Sequence, residues 1–174
     1  MRWNSQGLLT HIEWSQGRLA VVEKVQLPKS FSDLADRIRE YFFRGVPIGA
    51  VPWDCLDQST WSEFQTQVYA IISEIPHGQT RTYGWVAEKL GKSSASRAVG
   101  QALKKNPFPI FIPCHRILST SSIGGFMGTM DPSKPELQLK RRLLLLEEEY
   151  ISPTFSFLTS EMKWPSTELN QIKL

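Results

Sequence analysis

The sequence predicts a mixed α/β protein: an α/β N-terminal part followed by a mainly α C-terminal domain built around a helix-turn-helix. Three observations carry this expectation. Two β-type runs and one amphipathic stretch fill the first third. From residue 60 onward apolar residues recur at helical spacing. Two of those helical runs are short and joined by a tight turn, and the second is basic on its outer face.

Each element follows from its residues. Residues 8–14 and 18–25 read as strands joined at Ser15-Gln16-Gly17. Ser32-Asp33 opens a helix with Leu34, Ile38, Tyr41 and Phe42 on one face, and Gly45 ends it. Residues 46–57 hold Pro47, Gly49, Pro52 and Asp54, a run of turn residues expected at a boundary or crossover. Thr60 and Glu63 have capping-box spacing, and Phe64, Val68, Ile71, Ile72 and Ile75 follow as one apolar stripe up to Pro76-His77-Gly78. A second helix fits 82–90, with Val86, Ala87 and Leu90 inward and Gly91 as its stop. After Lys92-Ser93-Ser94, a third fits 95–105, with Ala95, Val99, Ala102 and Leu103 inward and Arg97, Gln101 and Lys104 outward. Asn106-Pro107 breaks it. Residues 108–118 are apolar and β-rich, but Pro109 and Pro113 restrict them to an edge strand or an extended stretch. Residues 119–130 form a Ser/Gly-rich loop, and 135–149 a last helix with Leu137 and Leu144 inward. The expected division is 1–59 for the N-terminal domain and connector, 60–150 for the C-terminal domain, and 151–174 for a tail.

With 174 residues, 41% hydrophobic and 21% charged, the chain can bury a core and is neither disordered nor fibrous. Charge is unevenly spread. Residues 77–118 carry 7 basic and 1 acidic side chains, whereas 1–76 carry 7 and 9. A basic segment in a near-neutral chain points to a polyanion-binding face. Two cysteines make no disulfide framework, and three histidines without CxxC or HxxxH spacing make no zinc site. No signal peptide or membrane-spanning run is visible, so the expected setting is a reducing cytoplasm without membrane contact.

The chemistry concentrates at Pro113-Cys114-His115-Arg116. A thiol must become thiolate to attack, and His115 is a candidate base while Arg116 adds positive potential. On an extended segment neighbouring side chains diverge, so a bridging water is expected between Cys114 and His115. A third group must orient the imidazole, and Glu147, Glu148 and Glu149 are the candidates. Taken alone, a single cysteine reads as a small apolar core residue.

Residues 64–147 resemble the O6-alkylguanine-DNA alkyltransferases, single-turnover cysteine proteins that repair alkylated DNA. The matching elements occur in the family's order. They are Phe64-Gln65, Val68-Tyr69, Gly78-x-Thr80-x-Thr82-Tyr83-Gly84-x-Val86-Ala87 and Arg97-Ala98-Val99-Gly100. Asn106-Pro107-x-Pro109-Ile110, Ile112-Pro113-Cys114-His115-Arg116-Ile117, Gly124-x-Phe126-x-Gly128 and Lys140-x-x-Leu143-Leu144-x-x-Glu147 complete the set. The resemblance covers about half the chain, and residues 1–59 fit the family's ribonuclease-H-like N-terminal domain loosely.

The resemblance implies a role for each matched residue. Cys114 is the alkyl acceptor, His115 its base through a water, Glu147 the group holding His115, and Asn106 a hinge bracing the turn. Tyr83 presses on the phosphate at a flipped nucleotide and protonates the departing guanine. Arg97 fills the hole left in the duplex, and Phe126 and Met127 line the base pocket. Lys92, Gln65 and Thr120 sit at helix starts or a loop where phosphate contacts are expected. Flipping is required because a stacked base cannot reach a buried thiol. Ser93, Ser94, Ser96 and Gly100 are small enough for close approach to a minor groove, whose degenerate code suits repair at any sequence.

The implied function is irreversible transfer of an alkyl group from O6 of guanine, and also O4 of thymine, onto Cys114. It needs no cofactor and no metal, and acts as a monomer on double-stranded DNA. A lesion-binding relative without transfer would lack the cysteine, and a helix-turn-helix regulator would need a dimer and a specific operator. Two departures bear on substrate range. Met127 stands where many members carry a small polar residue, and residues 129–136 are longer than in compact members.

Overall fold

The computed structural model describes residues 1–12, 29–50 and 53–152. The chain begins with two short antiparallel strands, β1 (Arg2–Trp3) and β2 (Leu9–His11). The strand expected over 18–25 and its turn lie outside the described residues, as does the tail beyond 152. Helix α1 (Lys29–Arg44) buries Leu34, Ile38, Tyr41 and Phe42, the stripe its spacing predicts. Gly45 ends it at a φ of 67°, and a Cβ there would lie 2.9 Å from the Leu146 carbonyl oxygen. Only glycine lets the end of α1 dock this closely on the last helix. The connector returns to β2 through a bridge between Leu9 and Leu56.

Helix α2 (Glu63–Ser73) starts two residues later than expected. Ser62, not Thr60, is the N-cap: its hydroxyl accepts from the Gln65 amide, and the Gln65 side chain accepts from the Ser62 amide. Both pairs have the reciprocal spacing of a capping box, and the chain uses the second. Tyr69, absent from the expected stripe, is fully buried and donates to the Ala102 carbonyl. Its ring also meets Trp61 edge-on. Ile75 is buried just beyond the helix end.

Strand β3 (Arg81–Thr82) leads into helix α3 (Tyr83–Lys89), which Thr82 caps through the Trp85 amide. A 3-10 turn at Ser93–Ala95 joins it to helix α4 (Ser96–Lys104). Val86 and Ala87 face Val99, Ala102 and Leu103 in the core. Gly91 has a φ of 69° between the two helices.

The segment 108–118 is not the extended stretch expected from its β-rich composition. It is a tight turn, then a 3-10 turn at Cys114–Arg116, and only then a two-residue strand β4 (Ile117–Leu118) parallel to β3. The prolines at 109 and 113 remove ladder donors, so a longer strand cannot form. Ile110 has a φ of 80°. A β-branched residue there is strained by about 1–3 kcal/mol, and its burial with the 108–112 backbone hydrogen bond holds it in place. Helix α5 (Pro135–Ile151) closes the fold, burying Leu137, Leu139, Lys140, Leu143 and Glu147. Leu144, expected inward, is half-buried; Lys140 and Glu147 occupy the apolar face instead.

Candidate active site

Cys114 opens the 3-10 turn and is 6% exposed. Its Sγ lies 3.1 Å from the Asn106 amide nitrogen, which also donates to the Ile112 carbonyl. The Asn106 carbonyl oxygen accepts from the Phe108 amide, so one side chain ties both ends of the turn. Burial pushes the Cys114 thiol up; the Asn106 hydrogen bond and the Lys140 ammonium oppose that shift.

Behind the thiol, His115 is fully buried and its Nε2 lies 2.9 Å from Glu147 Oε1. That carboxylate accepts, so Nε2 carries the proton and Nδ1 is the free base. Nδ1 is buried and makes no hydrogen bond among the described residues. Burial lowers the pKa of His115 and Glu147 works against that. Of the three candidate glutamates only Glu147 reaches the imidazole; Glu148 is exposed.

Glu147 gathers donors from three segments besides its own helix. Arg116 donates from Nε and Nη2 at 2.9 and 2.8 Å, the Gly78 amide at 2.9 Å and the Tyr41 hydroxyl at 2.8 Å. Burial alone would raise its pKa, but His115 and Arg116 hold it well below the usual carboxylate range. Arg116 therefore serves Glu147 and the Ile75 carbonyl, not the thiol its sequence position suggested. Gly78 has a φ of 74°, and a Cβ there would strike Ile151 at 2.6 Å. His77 Nδ1 approaches Glu147 Oε1 at 3.5 Å.

Lys140 is fully buried and donates to the carbonyls of Ile117, Ile123 and Gly125 at 2.6, 2.7 and 3.0 Å. It pins the loop that follows the 3-10 turn. Burial lowers its pKa to about 8. The residue spacing carried a signal here. Leu137, Lys140, Leu144 and Glu147 share one helical stripe, and charges on a stripe facing a core need buried partners.

Above the thiol lies a cavity of about 470 Å3, which Tyr83, Arg97, Lys104, Phe126, Met127 and Met130 help to line. Tyr83 donates to the Gly125 carbonyl at 3.3 Å, and burial raises its pKa. Met127 has a φ of 47°. Lys104 lies along Gly128, where a Cβ would meet its Cε at 3.1 Å. Arg97 and Thr120 are exposed. Lys92 is exposed over the Phe64 ring. Gln65 lies apart: its side chain is held by the cap and by Tyr69. The structure thus brings Cys114, His115, Glu147 and Asn106 together, and Tyr83, Phe126 and Met127 line the same cavity as Cys114. Among the described residues no cluster of His, Cys, Asp and Glu is arranged to hold a metal ion, and no helix is long and apolar enough to cross a membrane.

This geometry defines a class, a buried thiol backed by a histidine–carboxylate pair beneath a cavity flanked by a basic helix. Comparison with known proteins identifies the family. The description "6-O-methylguanine DNA methyltransferase, DNA binding domain" matches residues 63–149. The methylated-DNA–protein-cysteine methyltransferase of Mycolicibacterium paratuberculosis is 35% identical over 116 residues, 66% of this chain and 68% of that protein. That of Methanosarcina acetivorans is 34% identical over 145 residues, 80% and 85% of the two chains. The crystal structure of Mycobacterium tuberculosis OGT in complex with DNA superposes with a TM-score of 0.56 at 33% identity, covering 69% of this chain and 68% of that one. The chain belongs to the 6-O-methylguanine DNA methyltransferase family. Its activity is DNA repair by direct transfer of an alkyl group from DNA to a protein cysteine.

Proposed function

We propose that Cys114 is the acceptor, and that it takes alkyl groups from O6 of guanine and O4 of thymine. The observation that carries this is the position of its Sγ, at the floor of the cavity and against Asn106. The other cysteine, Cys55, lies in the connector and does not line this cavity. In the resting protein the buried thiol is protonated. Its proton passes through a water to Nδ1 of His115, and Glu147 stabilises the imidazolium. The thiolate attacks the alkyl carbon, the C–O bond breaks, and the electron pair goes to the purine. Tyr83 supplies the proton that returns guanine to its neutral form, and the tyrosinate left behind recovers a proton through solvent from the His115 imidazolium, which restores both side chains. The products are a thioether and an unmodified base, so each molecule reacts once and no cofactor enters the balance.

The same reading assigns the DNA face. The α3–α4 pair acts as a helix-turn-helix entering the minor groove, with Arg97 in the vacated stack and Lys92, Thr120 and Gln65 near phosphates. Residues 60–150 form the unit that binds DNA and carries the reaction; 1–59 supply a ribonuclease-H-like domain and connector. The protein works as a monomer in a reducing cytoplasm. Incubation with duplex containing radiolabelled O6-methylguanine tests the assignment. Label should appear in the peptide holding Cys114, and Cys114→Ala should accept none while still binding DNA. Label on Cys55, or transfer to Cys114→Ala, would overturn it.

A further inference from the structure

The histidine–carboxylate pair is completed from outside the segment that carries the motifs. Tyr41, one turn before the end of α1, is fully buried. Its hydroxyl donates to Glu147 Oε1 at 2.8 Å, the oxygen that also takes the His115 Nε2 proton. The same hydroxyl oxygen lies 3.3 Å from Nε2, and the two rings meet at 64°. Its position is set by packing: Gly45 seats the end of α1 against Leu146 and Tyr150 on α5, the helix that carries Glu147.

We propose that Tyr41 is a positioning residue for alkyl transfer, which keeps His115 a neutral base by sharing the Glu147 oxygen to which the imidazole is bonded. This inference rests on the proposed role of His115. A carboxylate oxygen with several donors presents less charge to each of them. The short hydroxyl bond to Oε1 therefore weakens the pull of Glu147 on an imidazolium proton. The other charged or titratable groups around the pair come from every neighbouring element. Arg116 and Cys114 lie on the 3-10 turn, His77 on the turn after α2, and Lys140 on the same helix as Glu147. Arg116 and Lys140 act in the same direction as Tyr41, disfavouring a charged His115. Unlike Arg116, Tyr41 can lose its donor without leaving a buried charge unpaired.

The test is Tyr41→Phe, which keeps the ring and removes the hydroxyl. Single-turnover rates with free O6-benzylguanine, measured from pH 4 to 9, avoid any effect on DNA binding. The acidic limb of the profile should move upward by about half a pH unit or more, with a smaller change in the high-pH plateau. Titration of the His115 ring by NMR in unreacted protein should show the same displacement. A lower melting temperature with both titrations unmoved would overturn the proposal and leave Tyr41 a packing residue. Absence of any reaction in the wild type would remove the alkyl-transfer reading, while the NMR titration would still decide the effect of Tyr41 on His115.

Discussion

The two sides of Cys114 are built on opposite principles. Behind it, Tyr41, His115, Arg116 and Glu147 are buried and linked by hydrogen bonds of 2.8–3.3 Å. In front, Arg97 and Lys104 on α4 line the cavity and are exposed, as are Lys92 before that helix and Thr120. Under the proposed function, the difference meets two demands. Proton transfer needs a preorganised, water-poor environment in which each polar group is held by fixed partners. Binding DNA of any sequence needs long cations still free to find phosphates, because their attraction comes largely from counterion release.

The comparison is broken most severely at Glu147. Glu147→Gln keeps the shape but removes the charge that holds His115 and Arg116. Transfer should slow by about 10²-fold or more, the usual scale for losing an oriented base. Arg116 would be left buried without its counter-charge, a loss of about 3–5 kcal/mol. Single-turnover rates and denaturant unfolding measure the two effects. An unchanged rate from pH 6 to 8 would show that Glu147 does not orient the base.

Lys140 sharpens the buried side. Its folded pKa of about 8 lies below the ordinary lysine value of 10.5. The unfolded chain therefore binds this proton more tightly, and stability from this group rises with pH between those values. Below pH 8 the penalty of a buried charge is present in full. Relative to Lys140→Met, the wild type should gain up to about 3 kcal/mol between pH 8 and 10.5. Parallel stability curves for the two proteins across that range would show that Lys140 keeps an ordinary pKa.

The exposed side should respond more mildly and in two distinct ways. Lys104→Ala should weaken binding to all duplexes alike and lower the salt slope by about 1, as for one lost phosphate contact. Arg97→Ala should lower transfer from duplex by about 10-fold, beyond its effect on binding, since an unfilled stack lets the base return. That defect should shrink for O6-methylguanine in a mismatch or single strand, and free O6-benzylguanine should react nearly normally. Equal losses on duplex and free base would place Arg97 in support of the pocket.

Local sequence determines much of this protein. Periodicity located α2, α3, α4 and α5, because an amphipathic helix writes its buried face at fixed spacing. The order and spacing of the motifs from Phe64 to Glu147 identified the family and brought Cys114, His115, Asn106 and Glu147 forward as candidates. Composition misled at 108–118, where two prolines and the left-handed Ile110 turn β-formers into a tight turn ahead of the thiol. Spacing also pointed to Thr60 with Glu63 as the capping box, and the chain uses Ser62 with Gln65 instead. Only the tertiary structure decided the wiring. Tyr41 read as one more apolar-face residue of α1, yet its hydroxyl meets a carboxylate 106 positions away. Arg116 stands two residues from the thiol but is bonded to Glu147, and Lys140 gathers three carbonyls from β4 and the loop that follows it. Sequence patterns record which face of an element is buried. The partner a buried polar group finds depends on how distant elements dock, and close contacts such as Gly45 on Leu146 and Gly78 against Ile151 arise only when the chain has folded.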